Sequence, residues 1–584
     1  MSVETQILDA QNKAIARPRR SVRRPSAPAG VTVLVFVAMI GITLLPLVFM
    51  VGRAFFGEDG FSSAVIADTL AIPDLGKILI NTLLVTVASG LCALVIGAAL
   101  AWLNERTDAR MGLLTETLPM VPFLLAPIAG AVAWVLLLSP GAGYLNGLIR
   151  WAAAGFGVEI ADGPFDIYSW YGLILVYTIY QVPYAFLLLS AGLRNMDPSL
   201  EEAARVCGTS PGRILLRITF PALLPSIAGA MLLMVWTSLA LYSVPAVIGT
   251  GADIKVLTVL IVEQITNETP ARTDLAVGLS LIMILLVACV WWAQTVVLRR
   301  GRHATVSGKA KAASRITLGR WRTAARAGML GYAFIATVLP FTALALVALS
   351  GYWRPKFALS DLSLDSIQST ISGSSTSAAA LKNSLVIGVT WATVGILVAA
   401  LLALAISRLP SSVGRIVDGS IKLPATLSHV VLAVGFILLF AGPPLMLGGT
   451  VLILGLAYLA LYYPQGSVAA DNAVSQIGKE LPEASATSGA SPAVTFQRIY
   501  LPLMLPGMIA GWSLLFVRMI GDLTASAILA GPRNQVVGRQ ILDIFLGGSY
   551  AQLASLATVV TLITTIVVLI AMWASRRSAR WSQR

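Results

Sequence analysis

The sequence predicts an all-α polytopic membrane protein with about 12 transmembrane helices, arranged as two parallel six-helix repeats. Three observations predict this fold class: an apolar composition, regularly spaced apolar runs, and a polar motif that occurs twice. Of the 584 residues, 57% are hydrophobic and only 12% are charged. A chain with this composition crosses lipid as helices, because lipid offers no partner for free backbone N–H and C=O groups.

Twelve apolar runs are each long enough to cross the roughly 30 Å hydrocarbon core of a bilayer as a helix. They lie near 31–51, 81–103, 117–138, 168–192, 221–247 and 274–298, and near 327–349, 383–406, 417–440, 447–468, 502–529 and 552–573. The remaining polar segments divide the chain. We expect a basic tail at 1–30, a first half at 31–298, a linker at 299–326, a second half at 327–573 and a tail at 574–584.

The positions of lysine and arginine predict the orientation of these spans. With an even number of spans, both termini share one side, and 30 of the 41 Lys and Arg residues lie in segments on that side. Because cytoplasmic segments are enriched in Lys and Arg, both termini are expected in the cytoplasm. The net charge of +14 is then explained by topology and by contact with anionic lipid, and no nucleic acid partner is expected. The three cysteines and two histidines have no disulfide or metal-site spacing.

Two pairs of segments indicate that the halves are repeats. The segment "NTLLVTVASGLCALVIGAALAWLNER" at 81–106 resembles "NSLVIGVTWATVGILVAALLALAISR" at 383–408. A polar loop also occurs twice, and we call residues 197–221 the first repeated loop and residues 478–502 the second repeated loop. Because each half has an even number of spans, both insert with the same orientation, as parallel repeats related by an axis along the membrane normal.

The residues of the first repeated loop predict a helix, a sharp turn and a second helix. Asp197 is placed to cap a helix with Glu201 and Glu202 in its first turn, where carboxylates favour the helix dipole. Gly208 is expected to end that helix in the left-handed conformation. A second helix is expected to follow and to end at Pro221. Two such loops at equivalent positions predict a pair of docking surfaces on the cytoplasmic side.

The pattern Glu-Ala-Ala followed by Gly resembles the cytoplasmic loop of ABC importer permeases, which docks into a cleft on an ATPase subunit. The matching residues are Glu202, Ala203, Ala204 and Gly208, and then Glu483, Ala484, Ser485 and Gly489. Ser485 departs from the usual second Ala, but it is small. The segments "YSVPAVIGT" and "DLTASAILAGP" are similar to fused iron(III)-type permeases, a group that includes thiamine permeases. The resemblance covers roughly residues 80–580.

This resemblance implies a type I ABC importer permease fold in a bacterial inner membrane. The chain would move a solute delivered by an extracytoplasmic binding protein, with iron(III) first and thiamine, polyamine or phosphonate compounds as alternatives. The pattern G-x-x-x-x-G-K-[ST] that cradles nucleotide phosphates does not occur. The chain is therefore expected to be a transport subunit without enzymatic activity or a cofactor of its own, and two copies of a cytoplasmic ABC ATPase would bind ATP and Mg²⁺.

Two charged residues are predicted within one span. Arg518 and Asp522 would lie one helical turn apart, and charges in a membrane are costly enough to suggest a function. They either line the translocation pathway, with Tyr242, Ser243 and Thr524 nearby, or neutralise each other and fix helix packing. An alternative class, an ion-coupled 12-span secondary transporter, would use Asp522 as a coupling group, but it leaves the two repeated loops unexplained.

Overall fold

The computed structural model describes residues 29–57, 60–197, 199–300, 315–354, 359–373, 375–407, 409–422, 428–478 and 480–581. These residues are predominantly helical, which confirms the predicted fold class. The two strands among the described residues form a short antiparallel hairpin, in which Phe56–Gly57 (β1) pairs with Gly60–Phe61 (β2). Most of the predicted N-terminal tail and half of the predicted linker lie outside the described residues.

The helices of the first half follow the predicted order of spans. They are α1 (Ala29–Phe55), α2 (Ala64–Leu70), α3 (Leu75–Arg106), α4 (Leu113–Thr117), α5 (Pro127–Leu138), α6 (Tyr144–Gly155), α7 (Trp170–Asn195), α8 (Ser199–Val206), α9 (Pro211–Ile214), α10 (Phe220–Ala240), α11 (Leu257–Thr266) and α12 (Thr273–Arg300).

The second half repeats much of this order. Its helices are α13 (Trp321–Ala333), α14 (Leu339–Ser350), α15 (Asp365–Ile371), α16 (Thr376–Ile406), α17 (Ser411–Lys422), α18 (His429–Phe440), α19 (Val451–Ser475), α20 (Glu480–Thr487), α21 (Pro492–Thr495), α22 (Leu501–Ile520), α23 (Thr524–Leu529), α24 (Val537–Leu546) and α25 (Tyr550–Trp581).

The third predicted span of each half is not a single straight helix. In the first half, the segments Leu114–Leu124 and Pro127–Leu138 are bent by 89° relative to each other. Prolines cause this break, since a proline removes a backbone donor and its ring clashes with the preceding turn. In the second half, α18 has only 12 residues. Within the described residues, the predicted twelve spans therefore correspond to ten long apolar helices, the bent pair and α18.

In three spans, a π-helical turn precedes a proline at which the helix does not end. Each contains a five-residue π-helical turn that ends two residues before the proline, and these turns are Leu215–Thr219, Phe334–Val338 and Phe496–Tyr500. A wider turn accommodates the proline ring and the missing N–H. The prediction that the second helix of the first repeated loop ends at Pro221 is therefore wrong. That helix continues without a break into α10 and ends at Ala240.

The first span of each half packs against the opposite half. Helix α1 contacts α16, α18 and α19 of the second half, and α14 contacts α5 of the first half. At one of these crossings, a Cβ atom added to Gly435 would lie 2.8 Å from the carbonyl oxygen of Pro46. Glycine is needed there for the two helix backbones to approach. The halves are interlocked by this exchange.

The repeated Asn-Thr and Asn-Ser pairs near the starts of α3 and α16 make the same contacts in both halves. In each pair, the Asn amide donates to a carbonyl just before a short helix, and the next hydroxyl accepts the first N–H of that helix. These contacts are Asn81 to Lys255 (3.1 Å), Leu257 to Thr82 (2.9 Å), Asn383 to Gln535 (3.0 Å) and Val537 to Ser384 (2.8 Å). They satisfy helix-terminal groups that would otherwise lack partners.

We expect Asn81→Ala to destabilise the protein by about 1–2 kcal/mol, because the carbonyl of Lys255 loses its buried donor. The midpoint of thermal unfolding in detergent measures this loss. Asn267→Ala is the matched control, since Asn267 is exposed. Equal unfolding midpoints for the two variants would contradict the role assigned to this contact.

Candidate functional site

The first repeated loop forms the predicted helix, turn and helix. The N–H of Ser199 donates to Asp197 Oδ1 at 2.9 Å, which caps the start of α8. Gly208 and Gly489 have φ values of +76° and +77°, so both adopt the predicted left-handed conformation. The glycines permit a sharp turn, because a side chain is disfavoured at such a φ.

Each repeated loop exposes an apolar face. Leu200 is 59% exposed and Leu481 is 51% exposed, at equivalent positions of α8 and α20. The alanines three residues later, Ala203 and Ala484, are also exposed. An exposed Leu and an exposed Ala one turn apart form a contiguous apolar face, and such a face at equivalent positions of both loops is a candidate surface for a partner protein. The sequence analysis missed these leucines because it considered only the residues of the Glu-Ala-Ala pattern.

The other predicted loop residues differ between the halves in exposure. Glu202 and Ala204 are half-buried in the first loop, whereas in the second loop Glu483 is exposed and Ser485 is half-buried. The hydroxyls of Ser485 and Thr495 lie 2.8 Å apart and hydrogen-bond. The two loops therefore share their fold and their exposed Leu and Ala, but they are held in place differently.

Glu201 anchors the first repeated loop. The Glu201 side chain is buried, its Oε2 lies 3.2 Å from Arg106 Nε, and its Oε1 accepts a hydrogen bond from Thr219 Oγ1 at 2.7 Å. The sequence analysis assigned Glu201 only to the helix dipole. Its equivalent in the second half is Pro482, so a search for features common to both halves could not identify it.

Arg518 and Asp522 do not form the predicted ion pair. Helix α22 ends at Ile520, so Asp522 lies beyond the helix that carries Arg518. Asp522 Oδ1 accepts hydrogen bonds from the N–H groups of Ala525 (3.0 Å) and Ser526 (3.1 Å). Its Oδ2 accepts from Tyr462 Oη at 2.6 Å. Asp522 therefore caps α23 and joins it to α19.

Arg518 instead connects the two halves. Its Nη2 donates to Tyr184 Oη at 2.9 Å, and its guanidinium carbon lies 4.5 Å from the ring centroid of Phe123. Both aromatic residues belong to the first half, and their rings pack edge to face. A cation over an aromatic face is attracted by the ring quadrupole. Arg518, Phe123 and Met120 also line a cavity of about 420 Å³.

The other predicted pathway residues are packed inside the protein. Tyr242, Ser243 and Thr524 are buried, and none of them lines the cavity beside Arg518. Tyr242 and Ser243 lie in the break that follows α10, and Thr524 is the first residue of α23, after the equivalent break that follows α22. Their role in translocation stays a prediction. Within the described ranges, no group of three or more His, Cys, Asp or Glu side chains is placed to hold a metal ion.

The chain belongs to the family described as binding-protein-dependent transport system inner membrane component. The family pattern matches twice, at residues 93–303 and 393–583, which confirms the two repeats. The chain is therefore the multi-pass inner-membrane component of an ABC-type importer, a transport subunit. Neither matched range includes the first span of its own half.

The names of individual relatives agree with this family assignment. The "Probable ABC transporter permease protein y4fN" of Sinorhizobium fredii is 26% identical over 64% of this chain, and the match spans 66% of that relative's length, just under two thirds. The Fe(3+)-transport system permease protein FbpB 2 of Haemophilus influenzae is 24% identical over 87% of this chain and 90% of its own length.

Shorter matches include permeases named for other substrates. The trehalose transport system permease protein SugA of Mycobacterium tuberculosis is 30% identical over 26% of this chain and 47% of its own length. Among solved structures, a bacterial ABC transporter involved in the import of the acidic polysaccharide alginate covers 44% of this chain and 98% of that chain. Its sequence identity is 20% and its TM-score is 0.34.

We expect Asp522→Asn to retain most of the stability of the protein and Asp522→Ala to lose about 1–2 kcal/mol, because only the asparagine preserves an oxygen that caps α23. Unfolding midpoints in detergent measure the difference. If the two variants were equally stable, the capping role of Asp522 would be wrong.

Proposed function

We propose that the chain is the permease subunit of an importer that moves iron(III), presented by an extracytoplasmic binding protein, into the cytoplasm. The observation that carries the proposal is the pair of repeated loops, each with an exposed Leu and Ala beside a left-handed glycine turn. Leu and Ala exposed at equivalent positions of both loops are best explained by two docking surfaces of the same kind. Two copies of a cytoplasmic ABC ATPase would cover them, and those subunits would bind ATP and Mg²⁺.

The continuous helix after each turn explains how such docking would drive transport. The helix that starts in the first repeated loop runs over 29 residues from Gly212 to Ala240, roughly 40 Å at about 1.5 Å per residue. It ends at the break that contains Tyr242 and Ser243. A rigid helix of this kind would transmit a displacement of the loop to the middle of the protein when the ATPase subunits close.

Arg518 is the residue whose contacts a displacement of the repeated loop would change most directly. It lies in α22, the helix that continues from the second repeated loop, and it contacts Tyr184 and Phe123 of the first half. Relative movement of the halves would break these contacts. The pathway is therefore proposed to open beside Arg518, with Asp522, Tyr242, Ser243 and Thr524 closer to the core.

Iron(III) is the proposed solute because the similarity to a ferric permease extends over 87% of the chain. The match to the trehalose permease is restricted to 26% of the chain. Thiamine, polyamine and phosphonate compounds are the remaining alternatives. An ion-coupled secondary transporter is disfavoured, because the chain belongs to a binding-protein-dependent family and Asp522 is engaged as a helix cap.

Reconstitution with candidate ATPase and binding-protein partners tests this function. We expect uptake of radioactive iron(III) into proteoliposomes to require both partners and ATP on the side of the repeated loops. Uptake driven by a proton gradient without ATP would contradict the importer mechanism. ATP-dependent uptake of thiamine, a polyamine, a phosphonate or trehalose in place of iron would overturn the assigned solute alone.

Gly489→Asp tests the docking role of the second repeated loop. The φ of +77° disfavours a side chain by about 1–2 kcal/mol, so the turn should shift and ATPase association should weaken roughly tenfold, while membrane insertion is retained. Pull-down of the ATPase by the tagged permease measures association. Gly419→Asp, at an exposed glycine of α17, is the control; normal association of Gly489→Asp would argue against docking.

A further inference from the structure

The first repeated loop is held by a buried charge pair. The side chains of Arg106 and Glu201 are each only 5% exposed, and Arg106 Nε lies 3.2 Å from Glu201 Oε2. The second oxygen of Glu201 accepts from Thr219 Oγ1. Removal of one member of a buried pair leaves the other charge without compensation, which is strongly destabilising. The two side chains are therefore held close together, and so are the helices to which they belong.

This network joins three separate parts of the first half. Arg106 is the last residue of α3, Glu201 lies in α8, and Thr219 lies in the π-helical turn that precedes α10. The pair therefore fixes the orientation of α8 relative to two long helices. The buried side of α8 is fixed, and its opposite side carries the exposed Leu200 and Ala203.

Arg106 is itself held by the end of the linker, which we define as residues 315–320. The N–H of Ile316 donates to the carbonyl of Arg106 at 2.8 Å, and the N–H of Asp108 donates to the carbonyl of Ile316 at 3.1 Å. The N–H of Leu318 donates to Asp108 Oδ1 at 3.1 Å. The segment that connects the halves thus pairs with the residues around Arg106.

The first span of the second half reinforces this pairing. Arg326 of α13 donates through Nε to the carbonyl of Ala109 at 3.2 Å. A continuous series of contacts therefore runs from α13 and the linker end, through residues 106–109, to Glu201 and α8.

The second repeated loop cannot contain the same anchor. Pro482 occupies the position equivalent to Glu201, and a proline side chain has no hydrogen-bond acceptor or charge. The hydrogen bond between Ser485 and Thr495 joins α20 to α21 within the loop itself. It is formed by two neutral groups, and neutral pairs are weaker than charged ones.

We propose that Arg106, Glu201 and Thr219 are positioning residues that hold α8 in one orientation for its ATPase partner, and that the linker end keeps Arg106 in place. This inference rests on the docking role proposed above. The second repeated loop, without the carboxylate, is more easily displaced. The two ATPase contacts of one chain therefore differ in rigidity. The contact through the first repeated loop is rigid, and the contact through the second repeated loop is compliant.

The chain provides matched reporter positions for this difference. Cys207 and Ser488 are exposed and immediately precede the left-handed glycines of the two loops. One reporter chain carries Cys92→Ser and Cys289→Ser and retains Cys207. The other carries these changes together with Cys207→Ser and Ser488→Cys. The rate of labelling by a membrane-impermeant maleimide is measured in the nucleotide-free complex with the ATPase.

We expect Glu201→Gln to raise the labelling rate of Cys207 in the complex roughly tenfold and to leave the Ser488→Cys reporter unchanged. Glu480→Gln, the same neutralisation at an exposed residue of α20, should change neither rate. ATP hydrolysis should persist while uptake per ATP falls. An equal effect of Glu201→Gln on both reporters, or no effect on Cys207, would overturn the inference.

Two further measurements separate the possible failures. If Glu201→Gln does not fold, Thr219→Val removes only one hydrogen bond and should give a smaller but equally selective increase at Cys207; a lack of selectivity there would also overturn the inference. If the ATPase protects neither reporter in the chain with native Glu201, the docking role is wrong and the inference falls with it.

Discussion

Lipid cannot satisfy backbone hydrogen-bonding groups, and this constraint determines where each helix of the chain bends and what surrounds the bend. The short helices after α10 and α22 begin inside the protein, and polar side chains satisfy their free N–H groups. Thr82 and Ser384 do so for α11 and α24, and Asp522 does so for α23. The burial of Thr82, Ser384 and Asp522 is therefore explained by the geometry of the backbone before any role in transport is considered.

The sequence predicted the fold class well because composition, apolar runs and an internal repeat all report on properties averaged over many residues. It also predicted the turns at Gly208 and Gly489, since a left-handed stop has a strong local signal. It failed where a local rule was overridden. Pro221 normally ends a helix, but a π-helical turn accommodates it, and the spacing of Arg518 and Asp522 implied a pair only on the assumption that the helix continues past Ile520.

The site was harder to predict for a related reason. A comparison of the halves favours residues that occur twice, so it identified the Glu-Ala-Ala pattern and passed over Glu201, which has Pro482 as its equivalent. Arg518 was identified as a charge within a span, but its contacts with the first half were not predicted. These two residues make the chain asymmetric. Arg518 crosses from the second half to the aromatic pair of the first, and Glu201 anchors one loop alone.

The exchange of first spans has a consequence for how such a protein assembles. Helix α1 packs against α18 of the second half, and α14 packs against α5 of the first. The first span of each half therefore contributes to the packing of the other half. Halves synthesised as separate chains would each leave uncovered the apolar surface that the partner's first span contacts. Covalent fusion is thus not what brings the halves together. It fixes their ratio at one to one and prevents two copies of the same half from pairing.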